Sequence, residues 1–213
     1  MHRYKQQGFT LIELVIVMVV SGILFVVTPP LLFHGVKTLV FMPRAVAVNQ
    51  AAAEVMHQLV EGGFSILAGQ TTVRGPRFAV GRGTGVPAIW LTEANRIGFL
   101  TSDGQYVLLR LDTAGGDVMK RSVLPATPTC SSVPAAAEED IPYHAAGNVR
   151  IITTTGVLFR YYNQSQVELA PSCPPNSAIR RVDIEFVGQT GNGVFDEGHA
   201  RQPMKTSVAI RIP

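Results

Sequence analysis

One carboxylate, Glu13, lies inside an apolar run that extends from Phe9 to about Phe33, and it is the only formal charge there. A lone carboxylate at membrane depth is costly unless it is paired, so its presence points to use. Before the run comes a short polar leader, Met1-His2-Arg3-Tyr4-Lys5-Gln6-Gln7-Gly8. The chemistry this arrangement suits is ion pairing in a low dielectric. Catalysis has little support. His57 falls on a helical stretch, His144 and His199 fall in loops, and none has a nucleophile at a telling spacing. No G-x-S-x-G, H-E-x-x-H or P-loop pattern occurs, so the chain reads as a non-enzyme with no cofactor.

The element that must position Glu13 is a helix. Phe9 to Thr28 is 20 residues, about the length that crosses a bilayer. Arg3 and Lys5 favour a cytoplasmic N-terminus. A cleaved secretory signal would need small residues after the apolar core, and Phe25-Val26-Val27-Thr28-Pro29-Pro30 offers none. A plain anchor fits the length but leaves Gly8 and Glu13 unexplained.

A third reading accounts for both. Gly8-Phe9-Thr10-Leu11-Ile12-Glu13-Leu14-Val15-Ile16-Val17-Met18, continued by Ser21-Gly22-Ile23-Leu24, resembles the class III signal of type IV pilins and type II secretion pseudopilins. The resemblance implies that a prepilin peptidase cuts after Gly8 and that Phe9 becomes an N-methylated first residue. Glu13 then matches the family's glutamate at the fifth mature position. A secondary amine stays cationic near neutral pH, so the Phe9 amine and the Glu13 carboxylate are complementary. They can pair within one helix or between stacked subunits, where pairing offsets a desolvation cost that neither charge could carry alone. The bland alternative is that Glu13 snorkels to the headgroups.

The implied partners are other pilin or pseudopilin subunits, the prepilin peptidase, an inner-membrane assembly platform and membrane lipid. The implied location is the inner membrane as a single pass, with the globular domain in the periplasm, and then a periplasmic or cell-surface filament. The function so implied is that of a structural filament subunit. The alternative is a permanently anchored periplasmic binding module that does not polymerise.

The fold expected is α+β and pilin-like, a long N-terminal helix packed on an antiparallel sheet. Its divisions are a leader at 1–8, a membrane and assembly helix at 9–33, a helix continuing into the globular domain at 34–70, and a β-rich domain at 71–213. Pro29 and Pro30 should break or kink the helix, and Pro43 suits the start of a new helical stretch. Expected strands are Arg77–Val80, Ala88–Leu91, Arg96–Thr101, Tyr106–Asp112, Val118–Leu124, Val149–Thr153, Val157–Tyr162, Arg181–Val187 and Thr206–Ile212. Ala126 to Ala146, Ala170 to Asn176 and Gln189 to Gln202 read as loops. A weaker resemblance, to J-type pseudopilins and W-type minor pilins, rests on Ile97-Gly98-Phe99, Lys120-Arg121-Ser122, Leu158-Phe159-Arg160-Tyr161-Tyr162, Arg181-Val182-Asp183-Ile184 and Val208-Ala209-Ile210-Arg211.

Cys130 and Cys173 are the only cysteines, and no Cys-x-x-Cys or Cys/His cluster accompanies them. Behind an export or anchor segment the pair favours one disulfide joining two loops, against two buried free thiols. Closing about 43 residues would stabilise the domain by roughly 3–4 kcal/mol in the chain-entropy model. Asp196 and Glu197 could lend oxygen ligands to Ca²⁺, as a C-terminal loop does in some pseudopilins, but the EF-hand pattern is missing and a solvated loop is the simpler reading. Gly81-Arg82-Gly83-Thr84-Gly85 reads as a turn rather than a phosphate loop. Outside the leader, 16 basic residues face 15 acidic ones, which excludes a general nucleic-acid surface and predicts no specific nucleic acid.

Overall fold

The computed structural model describes residues 10–65, 69, 71–81, 87–114, 117–141, 149–190 and 201–210. The fold is α+β, one long helix followed by antiparallel sheets. The chain divides into two compact units, Met1–Pro43 and Arg44–Pro213.

The helix, α1, runs from Leu11 to Val60 without interruption. It is not broken at Pro29 and Pro30, and no new helix opens at Pro43, which corrects the expectations of a break and of a second helix start. Proline's fixed φ lies close to the helical value, so the backbone can continue through it. What is lost is the amide that would have reached the carbonyl four residues back, at Phe25, Val26 and Leu39.

The helix also ends earlier than the expected 70. Glu61 N still donates to His57 O at 2.8 Å. Gly62 then takes φ +94°, the left-handed geometry that closes a helix. A Cβ at Gly62 would lie 1.9 Å from Val73 O, so only glycine fits there. From that point the chain enters β1 (Gly62–Ser65), which pairs antiparallel with β2 (Thr71–Arg74).

A short 3₁₀ turn at Pro76–Phe78 and a bridge from Ala79 to Thr101 replace the strand expected at Arg77–Val80. Five strands then form a continuous antiparallel meander: β3 (Ile89–Thr92), β4 (Arg96–Leu100), β5 (Tyr106–Asp112), β6 (Val118–Leu124) and β7 (Glu138–Ile141). β7 falls inside the stretch expected to be loop. Its acidic residues stand opposite cations in the register, Glu139 against Arg121 and Asp140 against Lys120. Such cross-strand pairs stabilise a strand that composition alone disfavours.

The second sheet centres on β11 (Arg181–Thr190). β12 (Arg201–Ala209) lines one of its edges, while β9 (Phe159–Tyr162) and β8 (Val149–Ile152) share the other, and β10 (Glu168–Leu169) lies beyond β9. β11 and β12 therefore extend into the segment expected as a Gly-rich insertion, with Gln189 opposite Arg201. Among the described residues β12 is the outermost strand of this sheet. Ile210 N donates to Arg180 O, so the even-numbered residues of β12 turn their backbone toward β11. Pro203 and Lys205 therefore turn theirs toward the open edge.

One core fills the second unit. Ala52, Val55, Met56 and Leu59 from α1 join Ile97, Phe99, Val107 and Leu109 from the meander and Phe159, Tyr161, Val182 and Ile184 from the second sheet. Spacings of three and four residues put the α1 members on one face, and alternation puts the strand members on inner faces. The β3–β4 turn is gripped by the second sheet. Leu158 N and Phe159 N both donate to Ala94 O at 2.9 Å, and the Tyr161 hydroxyl donates to Glu93 O at 2.9 Å. Burial pushes the Tyr161 phenol far above its ordinary range.

The meander is tied to the β1 hairpin by a buried cation. Arg121 and Glu139 are 2% and 8% exposed. Arg121 Nε donates to Glu139 Oε1 at 2.7 Å, and its terminal nitrogens donate to Gly63 O at 3.2 Å and Phe64 O at 2.6 Å.

Candidate assembly helix

Thr10 and Glu13 form the start of α1. Thr10 N donates to Glu13 Oε2 at 2.9 Å, and the Thr10 hydroxyl donates to the same oxygen at 3.0 Å. In return Glu13 N approaches Thr10 Oγ1 at 3.4 Å. This is a reciprocal capping box, threonine at the N-cap and glutamate three residues on, which satisfies amides that a helix start leaves without partners. It also turns the Glu13 carboxylate back toward the N-terminus, where the helix dipole favours negative charge.

The next turns have no polar face. Leu11, Ile12 and Leu14 through Val20 are all exposed large apolar residues, and so are Ile23 through Val27, Leu31, Leu32, Phe33 and Val36. Leu11–Val36 is 26 residues long and apolar enough to cross a membrane. At 1.5 Å per residue it extends about 39 Å, more than the hydrocarbon thickness of a bilayer. A helix that is apolar on all sides demands lipid or other apolar helices around it. Glu13 is the only Asp, Glu, Lys or Arg in this span.

Residues 3–28 match the prokaryotic N-terminal methylation motif. That motif is the class III signal of type IV pilin-like proteins, so the start of this chain is that of a pilin-like prepilin. The motif's family is structural rather than enzymatic. The apolar helix and the motif are together consistent with membrane anchoring. The match runs from Arg3 to Thr28 and so contains Gly8, Phe9 and Glu13. The chain matches no curated protein and no solved structure.

Gly8 and Phe9 lie outside the described residues, as do Asp196 and Glu197, His144 and His199, and positions 82–86 of the glycine-rich turn. Of the residues singled out for assembly, the structure places Glu13 at the first turn of the methylation-motif helix and Pro29 and Pro30 within its unbroken length. Thr10 was missed as a functional residue. Its signal was legible, because a threonine followed three residues later by glutamate and then an apolar run is the pattern of a capped helix start.

Elsewhere Cys130 and Cys173 are joined as a disulfide, with Cα atoms 5.6 Å apart. Among the described residues no group of three or more His, Cys, Asp and Glu could hold a metal ion. His57 is exposed on α1. Charged side chains on the outer face of the meander neutralise one another. Arg110 donates to Glu138 Oε2 at 2.6 Å, and Lys120 Nζ lies 2.9 Å from Asp112 Oδ2. The hydrogen bond to Asp112 raises the Lys120 ammonium above its ordinary value, and the hydrogen bond to Glu138 does the same for Arg110.

Proposed function

We propose that this protein is a structural subunit, a minor pilin or pseudopilin, of a type IV pilus or type II secretion filament. The observation that carries the reading is the coincidence of the methylation motif with a capped helix that is apolar on every side and holds a single carboxylate at its first turn. The prepilin peptidase cuts between Gly8 and Phe9, and the new Phe9 amine is methylated. Thr10 holds the Glu13 carboxylate facing the end of the helix where that amine stands. In the membrane the pair serves one chain. In the filament the Glu13 of one subunit meets the Phe9 amine of its neighbour, and the apolar helices exchange lipid for each other. Pro29 and Pro30, which remove two helical hydrogen bonds, are the point where the helix bends during packing. The globular domain faces the periplasm and then the filament exterior. The scattered similarity of the β-rich part to J-type and W-type subunits supports a minor rather than a bulk role.

Mass spectrometry of the mature chain, made with and without a prepilin peptidase, tests the processing step. A mature chain starting at N-methylated Phe9 is expected only with the peptidase, and an uncut chain under both conditions would refute it. Incorporation of Glu13→Ala into sheared filaments tests the assembly step. Wild-type incorporation of that variant would remove the role given to the carboxylate. A processed chain that never leaves the membrane fraction would favour the permanently anchored module.

A further inference from the structure

The meander carries a second apolar cluster that is separate from the main core. Trp90, Leu91, Leu108 and Leu124 are buried together, with Tyr106, Cys130, Val133 and Ala136 packed against them. Cys130, Val133 and Ala136 belong to the strap of residues 125–137 between β6 and β7. The strap is held weakly. Its only backbone hydrogen bonds among the described residues run between Thr129 and Ser132, both within the strap, and no side-chain hydrogen bond joins it to the sheet beneath. What fixes it from outside is the disulfide to Cys173. The Cys173 loop is itself anchored to β3, because Thr92 Oγ1 donates to Ser172 O at 2.9 Å and accepts from Ser172 N at 3.1 Å. Cys173 is exposed and Cys130 half-buried, so the bond is open to attack from solvent.

The buried side is poised to be uncovered. Trp90 is 5% exposed, yet its indole Nε1 is buried without a hydrogen-bond partner among the described residues. A buried donor with no acceptor costs free energy that water would relieve. The ring presses on Gly98, where a Cβ would come within 2.5 Å of it, so Trp90 cannot settle deeper into the sheet.

We infer that residues 125–137 are a redox-latched lid over the Trp90 cluster. A dithiol reductant opens it. Its thiolate attacks the exposed Cys173 sulfur, forms a mixed disulfide and releases the Cys130 thiolate. The reductant's second thiol then displaces the Cys173 thiolate. Two electrons have passed, both cysteines are reduced, and the reductant leaves as a disulfide. The freed strap lifts, and the Trp90 Nε1–H and the apolar side chains around it meet solvent. The two sheets keep their own ladders, so this is local opening rather than global unfolding. A subunit in a reducing compartment thus displays an apolar patch that it hides once oxidised.

Trp90 is the only tryptophan, so its emission reports on the lid alone. The full chain in detergent micelles is treated with a dithiol reductant. Collisional quenching of Trp90 by acrylamide, elastase cutting and amide hydrogen exchange are then followed. The expected result is a severalfold rise in quenching and new cuts within 125–137, while the β4, β5 and β6 amides stay protected. A Cys130→Ala/Cys173→Ala variant should behave the same way without reductant. Unchanged quenching with no new cuts would overturn the proposal, because packing alone would then hold the strap. Loss of β4–β6 protection together with Trp90 burial would also overturn it, because the disulfide would then hold the whole domain. Reduction of chain that is already folded keeps the test valid if the double variant does not fold.

Discussion

Replacing Arg121 with methionine should be among the most damaging single changes in the globular unit. The side chain is 2% exposed and has three partners: Glu139 in an ion pair, and the carbonyls of Gly63 and Phe64 in hydrogen bonds. Its removal leaves the Glu139 carboxylate, 8% exposed, without its counter-charge. One Glu139 oxygen already lacks a hydrogen-bond partner among the described residues. Breaking a buried pair in this way costs about 3–5 kcal/mol, because an uncompensated charge stays behind. For a unit of this size, about 2–4 °C is lost per kcal/mol, so the expected fall in Tm is roughly 6–20 °C.

Glu139→Leu should be similarly harmful, since it strands the guanidinium. The combined Arg121→Met/Glu139→Leu variant removes both charges. It should cost less than Arg121→Met alone, because both variants leave Gly63 O and Phe64 O unserved but only the single one also strands the carboxylate. Denaturant unfolding of the full chain in micelles, followed by circular dichroism, gives all four corners of the cycle. The midpoint should move while the slope m holds. A single-variant loss under about 1 kcal/mol, or a double variant whose loss equals the sum of the singles, would refute the argument that stranded charge sets the cost.

Gly98→Ala should cost about 1–3 kcal/mol, because its new methyl collides with the Trp90 ring, and Trp90 emission should shift with it. Gly62→Ala combines a left-handed backbone with a collision at Val73 O, so loss of the β1–β2 hairpin is expected, read as lost exchange protection at Val73. Stability should fall on the alkaline side. The Tyr161 phenol and the Lys120 ammonium both hold their protons more tightly folded than unfolded. Their contribution is thus complete below about pH 10 and declines as pH rises above it. Absorbance at 295 nm should show Tyr161 ionising only together with unfolding, and a Tyr161→Phe chain should lose that cooperative step. Thr10→Ala removes one half of the capping box and should lower filament incorporation in the direction of Glu13→Ala. Thr10→Ser, which keeps the hydroxyl, should restore it.

The parts of this fold that could be read from sequence are those where local pattern and tertiary environment agree. Tyr106–Asp112 and Val118–Leu124 are expected at the boundaries the structure has, because each is a short run bounded by turn residues, Ser102-Asp103-Gly104 and Ala114-Gly115-Gly116-Asp117. β7 is hidden in the sequence because Glu139 and Asp140 look like loop until Arg121 and Lys120 stand opposite them. The end of α1 is expected too late. Gly62 and Gly63 weaken a helix in the sequence, and the stop falls at Gly62, whose backbone lies against Val73 O, a contact between residues 11 apart. At Pro29 and Pro30 the helix continues, since a missing amide weakens a helix without fixing its dihedral angles elsewhere. At the assembly helix the charge of Glu13 was plain in the sequence, but the attention it drew concealed the simpler role of its neighbour Thr10.

The outer edge of β12 has a consequence for any crowded arrangement of this chain. An open strand invites another strand to template onto it, copy after copy, and subunits held side by side would meet that hazard constantly. Here the rim presents Pro203, which has no amide to offer, and Lys205, whose ammonium pairs with Glu185 of the neighbouring strand at 3.4 Å and keeps that edge polar. The β-domains are thereby made poor zippers. Strand-to-strand templating at this edge is disfavoured between any two copies of the chain.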